Sequence, residues 1–381
     1  MIPYGRQDIS EDDIQAVVAA LKSDFIAQGP AVAAFETAVA QKVGARHGIA
    51  VNSATSALHI ACLALGVGPG DRVWTSPITF VASANAALYC CARVDFVDID
   101  PVRWTMSVDA LEQKLKAARK NNTLPKVVIP VHFMGEPCDM AAIAALAKEY
   151  DFKVIEDAAH AIGGRYGSNP IGACTHSDIT VFSFHPVKVI TTGEGGMAVT
   201  NDAGLARTLN RLRSHGLTRE AGEMQGPSHG GWYYQQLELG FNYRMTDIQA
   251  ALGLSQLKRL GEFVARRHDL ADRYDAILEN LPLQLPVRDP GNYSGLHLYP
   301  VVLKHHDRRA VYDHMQAAGI GVNVHYIPVH TQPYYQRLGF RVGDFPNAEQ
   351  YYERALTLPL YPALSEAEQD QVVAALTKAL S

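Results

Sequence analysis

The chain lacks several signatures that would narrow its chemistry at once. Its 5 cysteines are an odd number without C-x-x-C spacing, and the adjacent Cys90 and Cys91 are poorly placed to bridge each other. They read as reduced thiols, mostly core filler. Among 15 histidines there is no H-E-x-x-H pair, and His305-His306 lies beside Asp307 in a polar loop that reads as solvated surface, so no metal is expected. No stretch approaches the ~20 apolar residues that span a bilayer. The segment Met1-Ile-Pro-Tyr-Gly-Arg-Gln-Asp also lacks a basic stretch followed by an apolar run, so a cytoplasmic location away from membranes is expected. Basic excess is missing too: 34 Lys and Arg against 39 Asp and Glu give a net charge of −5, which disfavours nucleic acid as a partner. There are no internal repeats and no low-complexity segments.

What is present is ordinary globular usage, with 381 residues of which 48% are hydrophobic and 19% charged. At about 150 residues per domain this is roughly two to three domains' worth of chain, enough to bury a core without staples. Apolar runs at Gly48–Val51, Arg72–Ser76, Val94–Asp98, Lys126–Val131, Lys153–Glu156, Ile179–Phe184 and Met197–Thr200 alternate with helical stretches. That alternation predicts a largely parallel sheet of seven strands covered on both faces. Several runs end in small or polar residues, and ligands of open α/β sheets gather beyond the carboxyl ends of strands.

Ser10 opens an arm helix with Glu11 and Asp12 in its first turn and Ile14, Val17, Val18 and Leu21 on one face. Thr246 and Gln249 form a capping box for a long helical stretch to about Leu281, with a break near Gly261. Leu298–Leu303, Val311–Ala318, Gly321–Tyr326 and a helix from Ser365 suit a smaller α/β domain. The division is expected to place residues 1–255, the arm and large domain, before residues 256–381, the small domain. Residues 220–231 read as a mobile loop.

Three segments carry chemistry. Asn52-Ser53-Ala54-Thr55-Ser56-Ala57 opens a helix after a strand, which makes either an anion site or an ordinary helix cap. Val154-Ile155-Glu156-Asp157-Ala158-Ala159-His160 ends an apolar strand on carboxylates. A buried charge there needs a cation, either a protonated ring nitrogen or a structural Arg; His160 packs over a ring or caps a turn. In Ser183-Phe184-His185-Pro186-Val187-Lys188-Val189-Ile190, apolar neighbours desolvate the Lys188 amine and favour its neutral, nucleophilic form, suited to Schiff-base chemistry. Gly193, Gly195 and Ala198 match G-x-G-x-x-A, but a strand follows rather than a helix, so the dinucleotide fingerprint is rejected. Anion site, buried carboxylate and desolvated amine together match pyridoxal 5′-phosphate, which offers a phosphate, a pyridine nitrogen and an aldehyde.

The order Ser53-Ala-Thr-Ser-Ala-Leu, Glu156-Asp157-Ala-Ala-His160, Ser183-Phe-His-Pro-Val-Lys188 and Gly240-Phe-Asn242-Tyr-Arg244-Met resembles the DegT/DnrJ/EryC1/StrS sugar aminotransferases over nearly the whole chain. The resemblance implies the pyridoxal-phosphate-dependent transferase fold of type I, as in aspartate aminotransferase. By the same resemblance Lys188 binds the aldehyde, Asp157 pairs with the ring nitrogen, His160 lies near the ring hydroxyl and Phe80 stacks on the ring. Ala54, Thr55 and Ser183 would hold the phosphate. Asn242 would reach the cofactor phosphate of a second subunit, which implies a homodimer with shared sites.

Ile2-Pro-Tyr4-Gly-Arg6-Gln7, Ser23 to Pro30, and Val324-His-Tyr-Ile-Pro328 are similar to the branch that moves an amino group from L-glutamate to C4 of a UDP-linked 4-keto-6-deoxy-N-acetylhexosamine in pseudaminic acid biosynthesis. That branch would place Tyr4, Asp24, Phe25, Ile26, Ala27, Val324, His325, Tyr326 and Ile327 around the nucleotide sugar, with Ala54, Ser183 and Asn242 also touching it. Related 3- or 4-aminotransferases of UDP or dTDP sugars share these motifs. Dehydrating relatives carry a histidine at the position of Lys188, so transamination is favoured here. A regulatory protein that only kept the fold would not need Asp157, Ser183 and Lys188 together.

Overall fold

The seven apolar runs form one sheet in the computed structural model, which describes residues 1–381. Its strands are β1 (His47–Val51), β2 (Arg72–Thr75), β3 (Arg93–Phe96), β4 (Val127–Ile129), β5 (Lys153–Asp157), β6 (Ile179–Ser183) and β7 (Gly196–Thr200). They lie in the order β1-β7-β6-β5-β4-β2-β3. Neighbours are parallel except around β7, which runs antiparallel to both β1 and β6. Every residue of β4, β6 and β7 is buried, because both faces are covered; this is why these strands read as unbroken apolar runs. Val127 and Ile129 pack with Leu58 and Ile60 of the helix Ala54–Ala64. Val128, pointing to the other face, packs with Leu111 and Ile143.

The reversal of β7 matters most for the site. A parallel strand after β6 would need a crossover to the far edge of the sheet, whereas an antiparallel one lets residues 184–195 stay at the carboxyl edge. Gly196 at the start of β7 pairs with both Val51 and Ser183, so three strand ends meet there. A Cβ on Gly196 would lie 2.4 Å from the Ala54 backbone nitrogen. Only glycine lets β7 begin directly under that helix end.

A smaller antiparallel sheet joins Leu283–Gln284, Tyr299–Leu303 and Ala355–Leu358. Its cluster of 21 buried residues runs from Leu270 to Leu376 and also takes in Ile2. Packing crosses the chain midpoint in the opposite direction as well, since Val329, Tyr335, Phe345 and Tyr351 join the cluster of the large sheet. No helix is long and apolar enough to cross a membrane.

The structure corrects the sequence reading at two elements. The arm helix Glu11–Leu21 is capped by Ser10, yet Ile14 and Leu21 are 47% and 56% exposed while Asp13 is fully buried. Asp13 Oδ2 accepts from Gln256 Nε2 at 2.6 Å and from Arg259 at 2.8 Å, and a buried carboxylate demands such donors. The long stretch from Thr246 does break near Gly261, at Arg259, giving the helices Asp247–Lys258 and Leu260–Leu278. Gly321–Tyr326 is not a strand: only Asn323 pairs, with Thr357, and the chain then turns away and brings His325 and Tyr326 to the cavity described below.

Arg259 bonds Asp8 at 2.7 Å as well as Asp13, tying the arm to the helix break. Arg259→Ala leaves the Asp13 carboxylate buried without its cation and is expected to cost about 3 kcal/mol. The readout is a lower denaturant midpoint at unchanged slope; a loss below about 1 kcal/mol would mean that Gln256 and Ser10 suffice.

Candidate active site

A cavity of about 900 Å³ opens at the carboxyl edge of the sheet. Its floor comes from three strand ends. After β1, Ser53 Oγ accepts from the Ser56 amide at 3.1 Å, and the Ala54 and Thr55 amides at the helix start have no acceptor within the chain. Such free N–H groups at a helix N-terminus favour an anion. β6 ends on Ser183, 8% exposed. The connection back to β7 then carries Lys188 over the edge.

Asp157 ends β5 and forms no ion pair with any Arg, so the structural alternative for its charge is removed. Its Oδ2 accepts from Ser83 Oγ at 2.6 Å and its Oδ1 from the Ala159 amide at 3.1 Å. Burial lowers the Lys188 amine to about 8, and the Asp157 carboxylate only partly offsets that loss. His160 is buried, with Nε2 3.1 Å from the Tyr326 hydroxyl and Nδ1 without a partner. Burial, followed by the charge of Lys188, holds His160 and His297 well below the usual histidine range and takes His325 to about 3. These three imidazoles are therefore neutral near pH 7. Burial and the Asp157 charge push the Tyr326 hydroxyl up, so it stays protonated. The walls contain Lys188 and four histidines but no arginine.

Of the residues singled out from sequence, Tyr4, Ala54, Thr55, Phe80, Asp157, His160, Ser183, Lys188, Val324, His325 and Tyr326 line this one cavity. Phe80 is 61% exposed at the mouth, its ring 6.4 Å from that of Tyr326. Asp24, Phe25, Ile26, Ala27, Asn242 and Ile327 do not line it; all six are exposed on the protomer. Sequence reasoning missed Thr79, His185, Glu194, Gln249, His297 and Asn323. Thr79 and Asn323 directly precede residues already chosen and Gln249 was read only as a cap, so proximity could have found them. His297 carried no signal, because the turn at Leu296 that delivers it is set by contacts far away in sequence.

Residues 7–377 match the DegT/DnrJ/EryC1/StrS aminotransferase family. The chain belongs to that family. Among its relatives is the spore coat polysaccharide biosynthesis protein SpsC of Bacillus subtilis, 42% identical over 98% of this chain and 96% of that protein. Another is the UDP-4-amino-4,6-dideoxy-N-acetyl-beta-L-altrosamine transaminase of Campylobacter jejuni, 36% identical over 96% of this chain and 94% of that enzyme. Helicobacter pylori PseC, an aminotransferase of pseudaminic acid biosynthesis, superimposes with a TM-score of 0.91 at 29% identity, covering 100% of this chain and 99% of its own. Streptococcus pneumoniae Spr1654, solved with PLP and PMP, gives 0.90 and 0.91 at 31% identity, covering 100% of this chain. As a DegT/DnrJ/EryC1/StrS aminotransferase this protein is a pyridoxal-phosphate-dependent sugar transaminase with the expected α/β fold.

The cavity fits that cofactor on its own evidence. An open helix N-terminus suits the phosphate, a carboxylate with no salt bridge to any Arg or Lys suits the ring nitrogen, and the orphaned His160 Nδ1 suits a polar ring substituent. Uptake of pyridoxal phosphate by cofactor-free protein needs the neutral Lys188 amine, so its rate is expected to rise with pH through a midpoint near 8 rather than near the ordinary 10.5. Stopped-flow absorbance checks the profile, with Lys188→Ala giving no visible band at any pH.

Proposed function

We propose that this transaminase moves the amino group of L-glutamate to C4 of a UDP-linked 4-keto-6-deoxy-N-acetylhexosamine, UDP-2-acetamido-2,6-dideoxy-β-L-arabino-hexos-4-ulose, in pseudaminic acid biosynthesis. The observation that carries this reading is that the segments similar to that branch, Tyr4 and Val324 to Tyr326, line the same cavity as Lys188 and Asp157. The Campylobacter relative, whose name carries a UDP-linked amino sugar, supports it. Residues 1–255 would form the cofactor-binding domain and 256–381 the small one.

Bound pyridoxal phosphate supplies an electron sink conjugated to the donor's α-carbon. In our reading Asp157 keeps the ring nitrogen protonated, Phe80 covers one face of the ring, and Ala54, Thr55 and Ser183 hold the phosphate. Lys188, with its lowered basicity, would bind the aldehyde and, once the donor's amine has displaced it, its free amine would take the proton from the donor's α-carbon and later deliver one to C4 of the sugar. The neutral His160 offers a hydrogen bond to the ring hydroxyl. Tyr4, His325 and Tyr326 border the sugar, and the cavity's freedom from water during proton movement depends on how well they close over it.

The test is an absorbance titration of the holoenzyme. Glutamate is expected to bleach the visible band, and one UDP-4-keto sugar to restore it with formation of a 4-amino product by mass. The 42% identity to the spore coat polysaccharide protein favours a second reading, a related nucleotide sugar destined for another polysaccharide. Recovery of the band with a dTDP or 3-keto sugar alone would select it.

We further propose a homodimer with shared sites. The six site residues missing from the cavity are exposed on the protomer, and Phe25, Ile26, Trp232 and Leu239 expose large apolar side chains. Asn242 would then serve the partner's site. Lys188→Ala and Asn242→Ala variants, each severely impaired alone, should recover about a quarter of wild-type activity when mixed and allowed to exchange subunits, because half the dimers are mixed and each has one intact site. No recovery on mixing would place Asn242 in its own subunit's site or in none.

A further inference from the structure

Between β2 and the helix Ala82–Tyr89 the chain runs Ser76-Pro77-Ile78-Thr79-Phe80-Val81, and only Phe80 has so far been given a role. Thr79 and Ser83 are 3% and 1% exposed, with hydroxyl oxygens 2.7 Å apart. Ser83 Oγ is in turn 2.6 Å from Asp157 Oδ2. Proton count sets the direction of this chain. An ionised carboxylate has no proton to give, so Ser83 donates its single O–H to Oδ2 and accepts from Thr79. Oδ1 is held separately by the Ala159 amide. Both carboxylate oxygens are thus anchored, one from a helix's first turn and one from the turn after β5, with lone pairs left for a further N–H.

We propose that Ser83, oriented by Thr79, is a positioning residue that fixes the plane of the Asp157 carboxylate for the ring nitrogen of the cofactor. The terminal torsion of an Asp side chain is broad and roughly two-fold, so a single backbone amide at 3.1 Å holds the carboxylate plane only loosely. A short hydrogen bond to the charged group supplies the missing restraint. This inference rests on the reading that Asp157 answers the ring nitrogen, and the experiment separates the two.

Cofactor-free protein is titrated with pyridoxal phosphate and with its 1-deaza analogue, in which carbon replaces the ring nitrogen, while circular dichroism and thermal midpoint report the fold. Wild-type protein is expected to bind pyridoxal phosphate more tightly than the analogue. Ser83→Ala should weaken pyridoxal phosphate by roughly 10-fold or more and the analogue by less than about 2-fold. Thr79→Val, which keeps shape and removes only the donor to Ser83, should shift pyridoxal phosphate in the same direction by a smaller factor, and it carries the test if Ser83→Ala misfolds. Equal weakening of both ligands would mean a merely structural role and overturn the proposal, as would unchanged affinity for pyridoxal phosphate. A wild-type protein that does not distinguish the ligands would instead overturn the Asp157 reading beneath it.

Discussion

Ending a buried apolar strand on two successive carboxylates is the constraint around which this molecule is arranged. Successive strand residues point to opposite faces, so Glu156 and Asp157 face different surroundings. Glu156 enters a closed network: His132 at 2.7 Å, Thr180 at 3.0 Å, and the Ser177 hydroxyl. Burial works against a charge on His132 and its bond to Glu156 favours one, while the Cys138 amide donates to its Nδ1 at 3.2 Å. That pair is answered within the fold. Asp157 has only hydroxyl and amide donors, and its charge is left to a ligand. One carboxylate holds the sheet together and its neighbour holds the site open.

The rest of the cavity follows from the same economy of charge. Burial keeps three imidazoles neutral and depresses the lysine amine, so Asp157 faces few competing cations. Reversal of β7 puts that amine at the strand ends, where the helix amides and Ser183 also converge. An all-parallel sheet would have sent the same loop sequence across the sheet, and the same residues would have met nothing.

Much of this was legible in the residues. All seven strands of the main sheet were visible as apolar runs, since burial on both faces removes the need for alternation, and local helix caps at Ser10, Thr246 and Ser365 hold as read. Lys188, Asp157 and the Ser53 helix start were legible because each sits just beyond a strand whose position was already clear. What failed were matters of tertiary choice. The arm helix turned its carboxylate inward because Gln256 and Arg259, far away in sequence, offered donors. Gly321–Tyr326 gave up a strand to deliver its side chains to the cavity, and His297 arrived by a turn that no local pattern announces. Ser83 had the appearance of an ordinary helix residue until Asp157 was found beside it.

The first few residues complete the picture from an unexpected side. Ile2 bonds Gly319 and Gly321, and the Tyr4 carbonyl accepts from the Leu360 amide, so the strand-like start of the arm is pinned by segments more than 300 residues later in the chain. During synthesis Ile2 and Tyr4 thus settle only after a loop closure to residues 319–360. Tyr4 lines the cavity, so that wall stays unfinished until residue 360 has emerged. A nascent chain can fold its sheet and align Lys188 with Asp157 while one side of its reaction chamber is still open to water, and closure of that chamber is timed by the emergence of Leu360.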